Sequence, residues 1–196
     1  MPICYTCNHT LQSGIVISMA IRETVQIGEP ILRETCKKVD DVSDGTIQEI
    51  ITDLVDTMRH NDLIGLAANQ IGENTRILVA EIRETKYRQE GTSPLMVCIN
   101  PIIEHISQET AVMHEGCGSI SNGLLFGEVE RPTEIKLKYT DRDGEEQSGV
   151  CTGLLARVIL HEYDHLEGVL FTDISDPKSF ISKAYYLEHI RGVKQK

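Results

Sequence analysis

Two histidines in the last quarter of the chain, His161 and His165, have the residue type and spacing of a metal-binding helix. Residues four apart lie about one turn apart on the same helical face, so both imidazoles can point at a single ion. Glu162 is rotated by about 100° from His161, close enough to act on a water beside the ion without binding the ion. The HExxH pattern therefore predicts a hydrolytic metal site with Glu162 as general base. Two buried histidines that only satisfy hydrogen bonds are the alternative.

A catalytic site of this kind needs a third protein ligand and keeps one position open. The metzincin pattern HExxHxxGxxH would place a histidine downstream, where this chain has Phe171. Glu188 could serve in the manner of thermolysin, but it lies in a tail of solvated composition. Upstream, Cys117 lies between two glycines that let the backbone approach a ligand, and a thiolate is a strong metal ligand. Cys117 is therefore the best candidate, with burial as a small apolar side chain as the other explanation.

Small residues precede an amide in the segment LIGLAANQIG (63–72). Gln70 beside a metal could donate a hydrogen bond to a developing oxyanion. Close packing would explain the small residues equally well, so this segment alone is a weak indication of function.

Apolar residues at helical spacing predict three helices. The first covers about 44–60, with Asp44 as an N-cap candidate. The second covers about 153–168 and carries the two histidines. A last helix is predicted from Asp176 and Pro177, which suit a cap and a first turn. Its apolar residues are Phe180, Ile181, Ala184, Leu187 and Ile190.

Alternating and continuous apolar stretches predict the strands. They lie at 76–82, 95–103, 111–113, 134–140 and 147–151. A charged loop at 83–94 and a turn at 141–146 separate some of them. Because the strands are grouped between helices, the pattern favours the α+β class with antiparallel pairing over an alternating parallel-sheet fold.

Composition limits the classes of function. The chain has 196 residues, 40% of them hydrophobic, and a formal net charge of −11 without a basic stripe, which argues against nucleic acid or an anionic membrane as partner. No apolar run is long enough to cross a bilayer, and the first twenty residues do not resemble a signal peptide, so we expect a cytoplasmic protein. Residues 1–18 lack a clear period and are predicted to be an extension before a single domain at 19–196.

The six cysteines give a low density for a chain of this length. A disulfide framework is not expected in a reducing compartment. Cys4 and Cys7 form a lone CxxC, and the second pair that a structural zinc site would need does not occur.

Three motifs taken together, GLAANQ (65–70), EGCGS (115–119) and HEYDH (161–165), resemble those of the peptide deformylase family. The family's motifs are GxGLAAxQ, EGCxS and HExDH, in this order, and the similarity runs from about Met19 to Phe171. The resemblance implies an α+β fold with antiparallel sheets around a central HExxH helix. It also implies removal of the N-formyl group from new polypeptides that begin with formylmethionine. We further expect a monomeric enzyme that meets these new polypeptides at the ribosome.

The resemblance assigns roles to individual residues. It implies a ferrous ion, with nickel, cobalt or zinc as substitutes, held by Cys117, His161 and His165. Glu162 would be the proton shuttle, while Gln70 and the backbone N–H of Gly118 would hold the formyl oxygen. The positions around the substrate methionine are Ile64, Gly65, Met113, Leu154 and Val158.

Two positions depart from the family's motifs. Leu63 stands where the first motif usually opens with glycine, and Gly118 stands where the second motif most often has leucine. A backbone donor at Gly118 is retained, but with a more mobile chain and without an apolar contact. Leu63 adds bulk near the substrate entrance. We therefore expect an intact metal site with lower activity or an altered substrate.

Two other functions fit part of this pattern. A zincin-like endopeptidase would use the same HExxH helix to cleave internal peptide bonds. A deformylase-like binding module could keep the pocket and have lost catalysis, as the changes at Leu63 and Gly118 would allow. The retained ligands and Glu162 argue against this second alternative.

Overall fold

The computed structural model describes residues 21–84 and 91–192. The predicted extension at 1–18, the CxxC at its start and part of the predicted loop at 83–94 lie outside the described residues. The helices are α1 (Gly45–His60), α2 (Gly153–Leu166), α3 (Phe171–Ile174) and α4 (Lys183–Tyr185), which continues as a π-helical turn (Tyr186–Ile190). No helix in the described ranges has the length and apolarity needed to span a membrane.

Within the described residues, eight strands form two antiparallel sheets, which confirms the α+β class. The five-stranded sheet has the order β1-β2-β3-β6-β7 and the three-stranded sheet the order β4-β5-β8. The strands are β1 (Gly65–Ala67), β2 (Ile77–Ala80), β3 (Met96–Ile106), β4 (Thr110–Gly116), β5 (Leu125–Pro132), β6 (Glu134–Thr140), β7 (Glu146–Thr152) and β8 (Ile181–Ser182). Short 3-10 turns occur at Pro30–Arg33, Ala68–Ile71, Ser121–Gly123 and Pro177–Ser179.

The five-stranded sheet lies between the two long helices. In β2, Leu78 and Ala80 pack in one apolar cluster with α2, whereas Ile77 and Val79 pack in another with α1. Because successive side chains of a strand point to opposite faces, a strand covered on both sides is apolar throughout. This explains the continuous run ILVA (77–80) and makes α2 the central helix of the fold.

α2 also contacts the three-stranded sheet. The Arg157 guanidinium donates to the carbonyl oxygens of Val129 in β5 at 3.0 Å and Ala111 in β4 at 2.6 Å. A helix that contacts one sheet on one face and the second sheet on another face is fixed in both position and rotation. The HExxH residues are therefore held between the two sheets.

The first helix agrees with the prediction. The Asp44 carboxylate accepts a hydrogen bond from the Thr46 N–H at 2.7 Å, which satisfies one of the open amides of the first turn. Apolar side chains on one face of α1, including Ile51, Leu54 and Met58, are fully buried. The 3.6-residue period thus identified both the helix and its buried face.

The prediction of one helix from Asp176 to Ile190 is wrong in its first half. Asp176 does cap Pro177–Ser179, but this is a single 3-10 turn. Ile181 then pairs with Phe126 of β5 as part of strand β8, and helical structure begins only at Lys183. The pairing with β5 uses backbone groups that a helix would have used internally.

Strands β1 and β5 were not predicted. β1 is only three residues long and consists of Gly65, Leu66 and Ala67, none of which is β-branched. β5 turns Gly127, Val129 and Arg131 to the interior, so its buried face includes a glycine and a charge. The alternation of apolar and polar residues that marks a strand is therefore masked in β5.

Candidate active site

Three side chains that could bind a metal converge on the buried side of α2. Cys117 lies in the turn after β4, and His161 and His165 lie one turn apart on α2. The candidate ligand atoms of the three residues all lie within 4.8 Å of one another, and the Cys117 Sγ is 3.2 Å from the His165 Nε2. All three are at most 9% exposed. The structure thus brings together two histidines and a cysteine that are more than forty residues apart in the sequence.

The donor set and its surroundings fit a divalent ion. A thiolate with two imidazoles suits first-row transition metals and leaves a coordination position open for water or substrate. Burial lowers the pKa of His165 well below its usual value, which favours the neutral imidazole that binds metal. Burial also lowers the pKa of His161, but hydrogen bonds with Cys117 and Glu115 outweigh this and raise that pKa, so metal binding must displace a proton there.

The structure also shows where Glu188, the other candidate for the third ligand, and Phe171, at the position of a metzincin histidine, lie. Glu188 lies on the π-helical turn with its side chain 65% exposed. Phe171 is buried and stacks on the His161 ring, with the ring centroids 6.2 Å apart. Phe171 therefore packs against the ligand face of α2 at the point where a downstream histidine would have entered.

Glu115 orients one of the histidines. Its carboxylate lies 2.9 Å from the His161 Nδ1, which leaves the Nε2 of that ring as the ligand atom. Arg131 and Arg157 donate to the same carboxylate at 2.8 and 2.7 Å. Burial alone would raise the pKa of Glu115, but the hydrogen bonds from His161 and Arg131 outweigh it and hold the pKa well below its usual range.

Glu162 is a buried carboxyl with an unused oxygen. It is 5% exposed, and its Oε2 has no hydrogen-bond partner within residues 21–84 and 91–192. Burial raises the pKa of Glu162 to about 7, and the neighbouring His161 opposes that shift. A carboxyl with a pKa near neutral can both accept and return a proton. The geometry and charge of Glu162 thus match the role of general base that the motif predicts.

The absence of a side chain at Gly65 leaves the space that the Glu162 side chain occupies. A Cβ atom at Gly65 would lie 2.5 Å from the Glu162 Oε1 and 2.7 Å from the Val158 Cγ1, much closer than side chains approach in proteins. Only glycine lets β1 run this close to α2. The glycine of the first motif is therefore required by the catalytic helix.

The two candidate oxyanion donors lie beside the cluster. The Gln70 Oε1 accepts from the Ala67 N–H at 2.8 Å, and its Nε2 donates to the Cys117 Sγ and the Ser119 Oγ, each at 3.3 Å. The Gly118 N–H donates no hydrogen bond to any part of the chain that the structure describes. Gln70 is thus fixed by its oxygen, and Gly118 has a backbone donor to offer.

A cavity of about 1180 Å³ opens beside these groups. His161, Glu162, Gln70 and Gly118 line it, together with Cys117. All five residues predicted to surround the substrate also line it: Ile64, Gly65, Met113, Leu154 and Val158. The cavity is large enough for several residues of a peptide, and one wall of it is apolar.

The last helical residues that the structure describes form part of this cavity, which the sequence did not indicate. Tyr186, Leu187 and Arg191 all line it. The Tyr186 ring stacks on Phe126 of β5, with the ring centroids 4.3 Å apart. The C-terminal helical turn is thus held against the three-stranded sheet and completes the wall.

Three polar residues of the site were also missed as functional positions. Glu115 stands inside the motif EGCGS but could not be assigned a partner from spacing. Arg131 comes from the unpredicted strand β5, and Asn69 donates through its side chain to the His165 carbonyl oxygen at 2.6 Å. For Glu115 and Arg131 the available signal was a charged residue within an otherwise buried segment, since buried charges are almost always paired. The uncharged Asn69 gave no such signal.

Comparison with known proteins agrees with this geometry. A model of the polypeptide deformylase family matches residues 21–180. A peptide deformylase of Caldanaerobacter subterraneus subsp. tengcongensis is 41% identical over 177 residues, which are 90% of this chain and 99% of that protein. One from Rhizobium meliloti is 42% identical over 155 residues, 79% of this chain and 85% of that protein.

Solved structures give the same result. The class I type b peptide deformylase from Acinetobacter baumannii bound to Met-Ala-Ser has a TM-score of 0.74 at 28% identity, over 79% of this chain and 98% of that one. The peptide deformylase from Thermotoga maritima has a TM-score of 0.70 at 36% identity, over 80% and 99% of the two chains. Since the family match covers most of the chain and includes Cys117, His161 and His165, the chain belongs to the polypeptide deformylase family.

Proposed function

We propose that this enzyme removes the N-formyl group from polypeptides that begin with formylmethionine and releases formate. One observation carries the proposal: the cluster of Cys117, His161 and His165 reaches, through Cys117 and His161, the cavity that Glu162 and Gln70 also line. Ligands, a base of suitable pKa and an amide donor are the groups that hydrolysis of an amide requires. Membership of the deformylase family supports the formyl group as the part removed.

The metal would be held by the Cys117 thiolate and the two histidines of α2. When bound, it supplies Lewis acidity that polarises the formyl group and the attacking water. We propose a ferrous ion, with nickel, cobalt or zinc as substitutes, because thiolate and imidazole ligands suit these metals. Iron beside a thiolate reacts with oxygen, so activity should be lost in air more slowly after substitution by nickel.

The proton transfers fall to Glu162. Its carboxylate would take a proton from the attacking water and return it to the nitrogen of the departing peptide. Burial holds its pKa near 7, where both transfers are possible at neutral pH. Its unpartnered Oε2 gives the carboxylate an oxygen that is available to substrate and water.

Gln70 and Gly118 would stabilise the charge that develops on the formyl oxygen. The Gln70 amide is fixed through its Oε1, so its Nε2 needs little reorganisation to donate. Fixed donors aimed at a developing oxyanion in a buried site are worth about 100-fold or more in turnover each. The Gly118 N–H would be the second such donor.

The apolar part of the cavity would receive the methionine side chain. Its residues come from three elements, with Ile64 before β1, Met113 in β4, and Leu154 and Val158 in α2. The Acinetobacter baumannii relative binds Met-Ala-Ser, which supports a peptide with methionine at its start as ligand here. Gly65 also lines the cavity and would meet the substrate through its backbone.

The test is formate release from formyl-Met-Ala-Ser by anaerobically purified enzyme, with metal content measured on the same sample. We expect formate in amounts that follow the bound iron, and no cleavage of unformylated peptides. Cleavage of internal bonds without formate release would instead support the endopeptidase. Tight binding of the peptide by metal-loaded protein without turnover would support the binding module.

We also propose the organisation that the sequence predicts. Residues 19–196 would form one catalytic domain, and 1–18 would be dispensable; the family match over residues 21–180 supports this division. The enzyme would act as a monomer in the cytoplasm, on new chains at the ribosome. Its net charge of −11 supports a peptide rather than a nucleic acid or a membrane as partner. Activity of a variant that lacks residues 1–18, with its mass in solution, tests these points.

A further inference from the structure

The segment 22–27, here called the strap, joins the two parts of the chain that carry the candidate oxyanion donors. The Val25 N–H donates to the carbonyl oxygen of Gln70 at 2.8 Å, and the Ile27 N–H donates to the carbonyl oxygen of Ser119 at 2.8 Å. Gln70 and the turn after Cys117 belong to separate elements, which are otherwise linked here through side chains. The strap therefore sets the distance between them with main-chain hydrogen bonds.

The strap is itself anchored to α1. The Arg22 guanidinium donates to Asp53 at 3.0 Å and to Glu73 at 3.1 Å, and the Arg22 N–H donates to the Thr57 Oγ1 at 2.9 Å. Fixed at this end, the strap can hold the turn in place instead of moving with it.

Within the strap, Gln26 clasps the turn at both ends. Its Nε2 donates to the carbonyl oxygen of Gly118 at 2.9 Å, and its Oε1 accepts from the Asn122 N–H at 2.9 Å. The Nε2 also donates to the carbonyl oxygen of Thr24 at 3.1 Å. The donors and the acceptor of this amide are thus used, and exchange of its oxygen and nitrogen would break both contacts with the turn.

The turn needs such support. Ser121 has φ 48° and Asn122 has φ 52°, both in the left-handed region. A residue other than glycine costs about 1–2 kcal/mol there, and the conformation persists only where the surroundings hold it. At the start of the same turn, Gly118 has no side chain to restrict its backbone, so it can rotate more freely than any other residue type.

Gln26 removes much of that freedom. The N–H of Gly118 belongs to the peptide before its Cα, and its carbonyl belongs to the peptide after it. The first peptide is held through the carbonyl oxygen of Cys117, which accepts from the Ile120 N–H at 3.1 Å, and Gln26 holds the carbonyl of the second peptide. Next to the Gly118 Cα, the Cδ1 of Leu63 lies 3.5 Å from the position that a Cβ would occupy, which is an ordinary contact distance. With both flanking peptides fixed, the direction of the Gly118 N–H is fixed as well.

We propose that Gln26 is a positioning residue that aims the Gly118 N–H at the formyl oxygen. It acts through the Gly118 carbonyl and replaces the restraint that a side chain at residue 118 would give. This inference rests on the proposed function, because an aimed donor matters only if an oxyanion forms. It predicts a loss in turnover without a loss in peptide binding.

The test compares Gln26→Ala with Gln48→Ala. Gln48 is also half-buried and also donates through its amide to two backbone carbonyl oxygens, those of Val42 at 2.9 Å and Arg142 at 3.0 Å, but it does not line the cavity. For Gln26→Ala we expect kcat for formyl-Met-Ala-Ser to fall about tenfold to 100-fold, since a misdirected donor loses part of its effect. KM and the Kd of the product Met-Ala-Ser, which has no formyl oxygen, should change less than about twofold. Gln48→Ala should keep the wild-type kcat.

Two further variants separate positioning from packing. Gln26→Glu fills the same volume and can still accept from Asn122, but it cannot donate to Gly118, so it should lose as much kcat as Gln26→Ala. Gly118→Ala placed in the Gln26→Ala background should recover part of the lost kcat, because its Cβ fits beside Leu63 and restricts the backbone. If Gln26→Ala does not fold, Gln26→Glu alone gives the result.

The outcomes are distinct. Unchanged kcat in Gln26→Ala, or a weaker Met-Ala-Ser affinity in proportion to the lost kcat, would overturn the role of Gln26 and leave the proposed function standing. Wild-type kcat in Gln26→Glu would assign the residue to packing and also overturn it. Absence of formate release by the metal-loaded wild-type enzyme would overturn both.

Discussion

Glu162 is the residue on which the proposed chemistry most depends: its carboxyl is buried, its Oε2 has no hydrogen-bond partner among the described residues, and burial raises its pKa to about 7. Gln at this position keeps the shape and removes the proton transfer. We expect Glu162→Gln to keep its metal and to lose turnover by about 100-fold or more. Metal content and formate release on the same preparation measure the two effects separately.

A matched control is Glu188→Gln, at an exposed glutamate of the C-terminal turn. It should retain both metal and turnover, because Glu188 takes no part in the cluster that the described residues form. Wild-type turnover in Glu162→Gln would contradict the role of base, and loss of its metal would instead make Glu162 a ligand.

At the scale of single residues, the sequence predicts a contact only where the two partners are close together in the chain. His161, Glu162 and His165 are placed by one helix, so their spacing suffices to predict their geometry. Cys117 was favoured by its glycine neighbours, and the ordered motifs strengthened that choice. Glu115 and Asn69 act through partners 46 and 96 residues away, which no local spacing encodes.

At the scale of elements, a substitution at Gly65 tests whether the close packing of β1 against α2 is needed for turnover. An added Cβ would meet the Glu162 carboxylate and Val158, so one element must shift. We expect Gly65→Ala to lower kcat by about 100-fold, since a displacement of about 1 Å at a catalytic group has an effect of this size. The cost in unfolding free energy should be about 1–3 kcal/mol.

Gly149→Ala in β7 is the comparison for this variant. A Cβ there meets no atom within 4 Å, so both kcat and thermal stability should stay close to wild type. Equal kcat in Gly65→Ala and wild type would mean that Glu162 can move without effect, which would remove the argument for a fixed base.

Leu63 and Gly118 form a pair between the segment before β1 and the turn after β4. The Leu63 side chain occupies the space into which a side chain at residue 118 would extend. Gly118→Leu should therefore destabilise the protein by about 1–3 kcal/mol through overpacking. Leu63→Gly combined with Gly118→Leu should be more stable than Gly118→Leu alone, as thermal unfolding of the four proteins would measure. Strictly additive effects would mean that the two side chains do not compete for space.

Periodicity predicted the elements that bury a regular face. α1 and α2 have wide apolar stripes, and β2 is a short apolar run covered on both sides. Periodicity failed where tertiary contacts determine which residues are buried. Arg131 is buried in β5 because Glu115 and Asp164 pair with it. Ile181 pairs with the edge of β5 and so belongs to β8, although its spacing from the following apolar residues also suits a helix.

For the whole molecule, a metal held by the three candidate ligands would join two structural units. Cys117 follows β4 of the three-stranded sheet, whereas the histidines lie on α2, which packs on the five-stranded sheet. An ion that binds only the folded state at about 100 times its Kd adds about 2.7 kcal/mol of stability. Removal of the metal by a chelator should therefore lower Tm by about 5–10 °C.

Cys117→Ala should have the lower Tm from the outset and should not respond to the chelator. A wild-type Tm that is equal with and without metal would contradict a link between the two sheets. Readdition of cobalt or nickel should restore the Tm of the wild type alone.

Ile21 and Arg191, near the two ends of the described chain, both line the cavity. The wall that begins at Lys183 follows Cys117, His161 and His165 in the sequence, so a ribosome adds it after all three candidate ligands. During synthesis, the sheets and the cluster of candidate ligands can therefore fold before this wall of the cavity has emerged. The order of synthesis thus favours assembly of the chemical groups first and of the full binding cavity second.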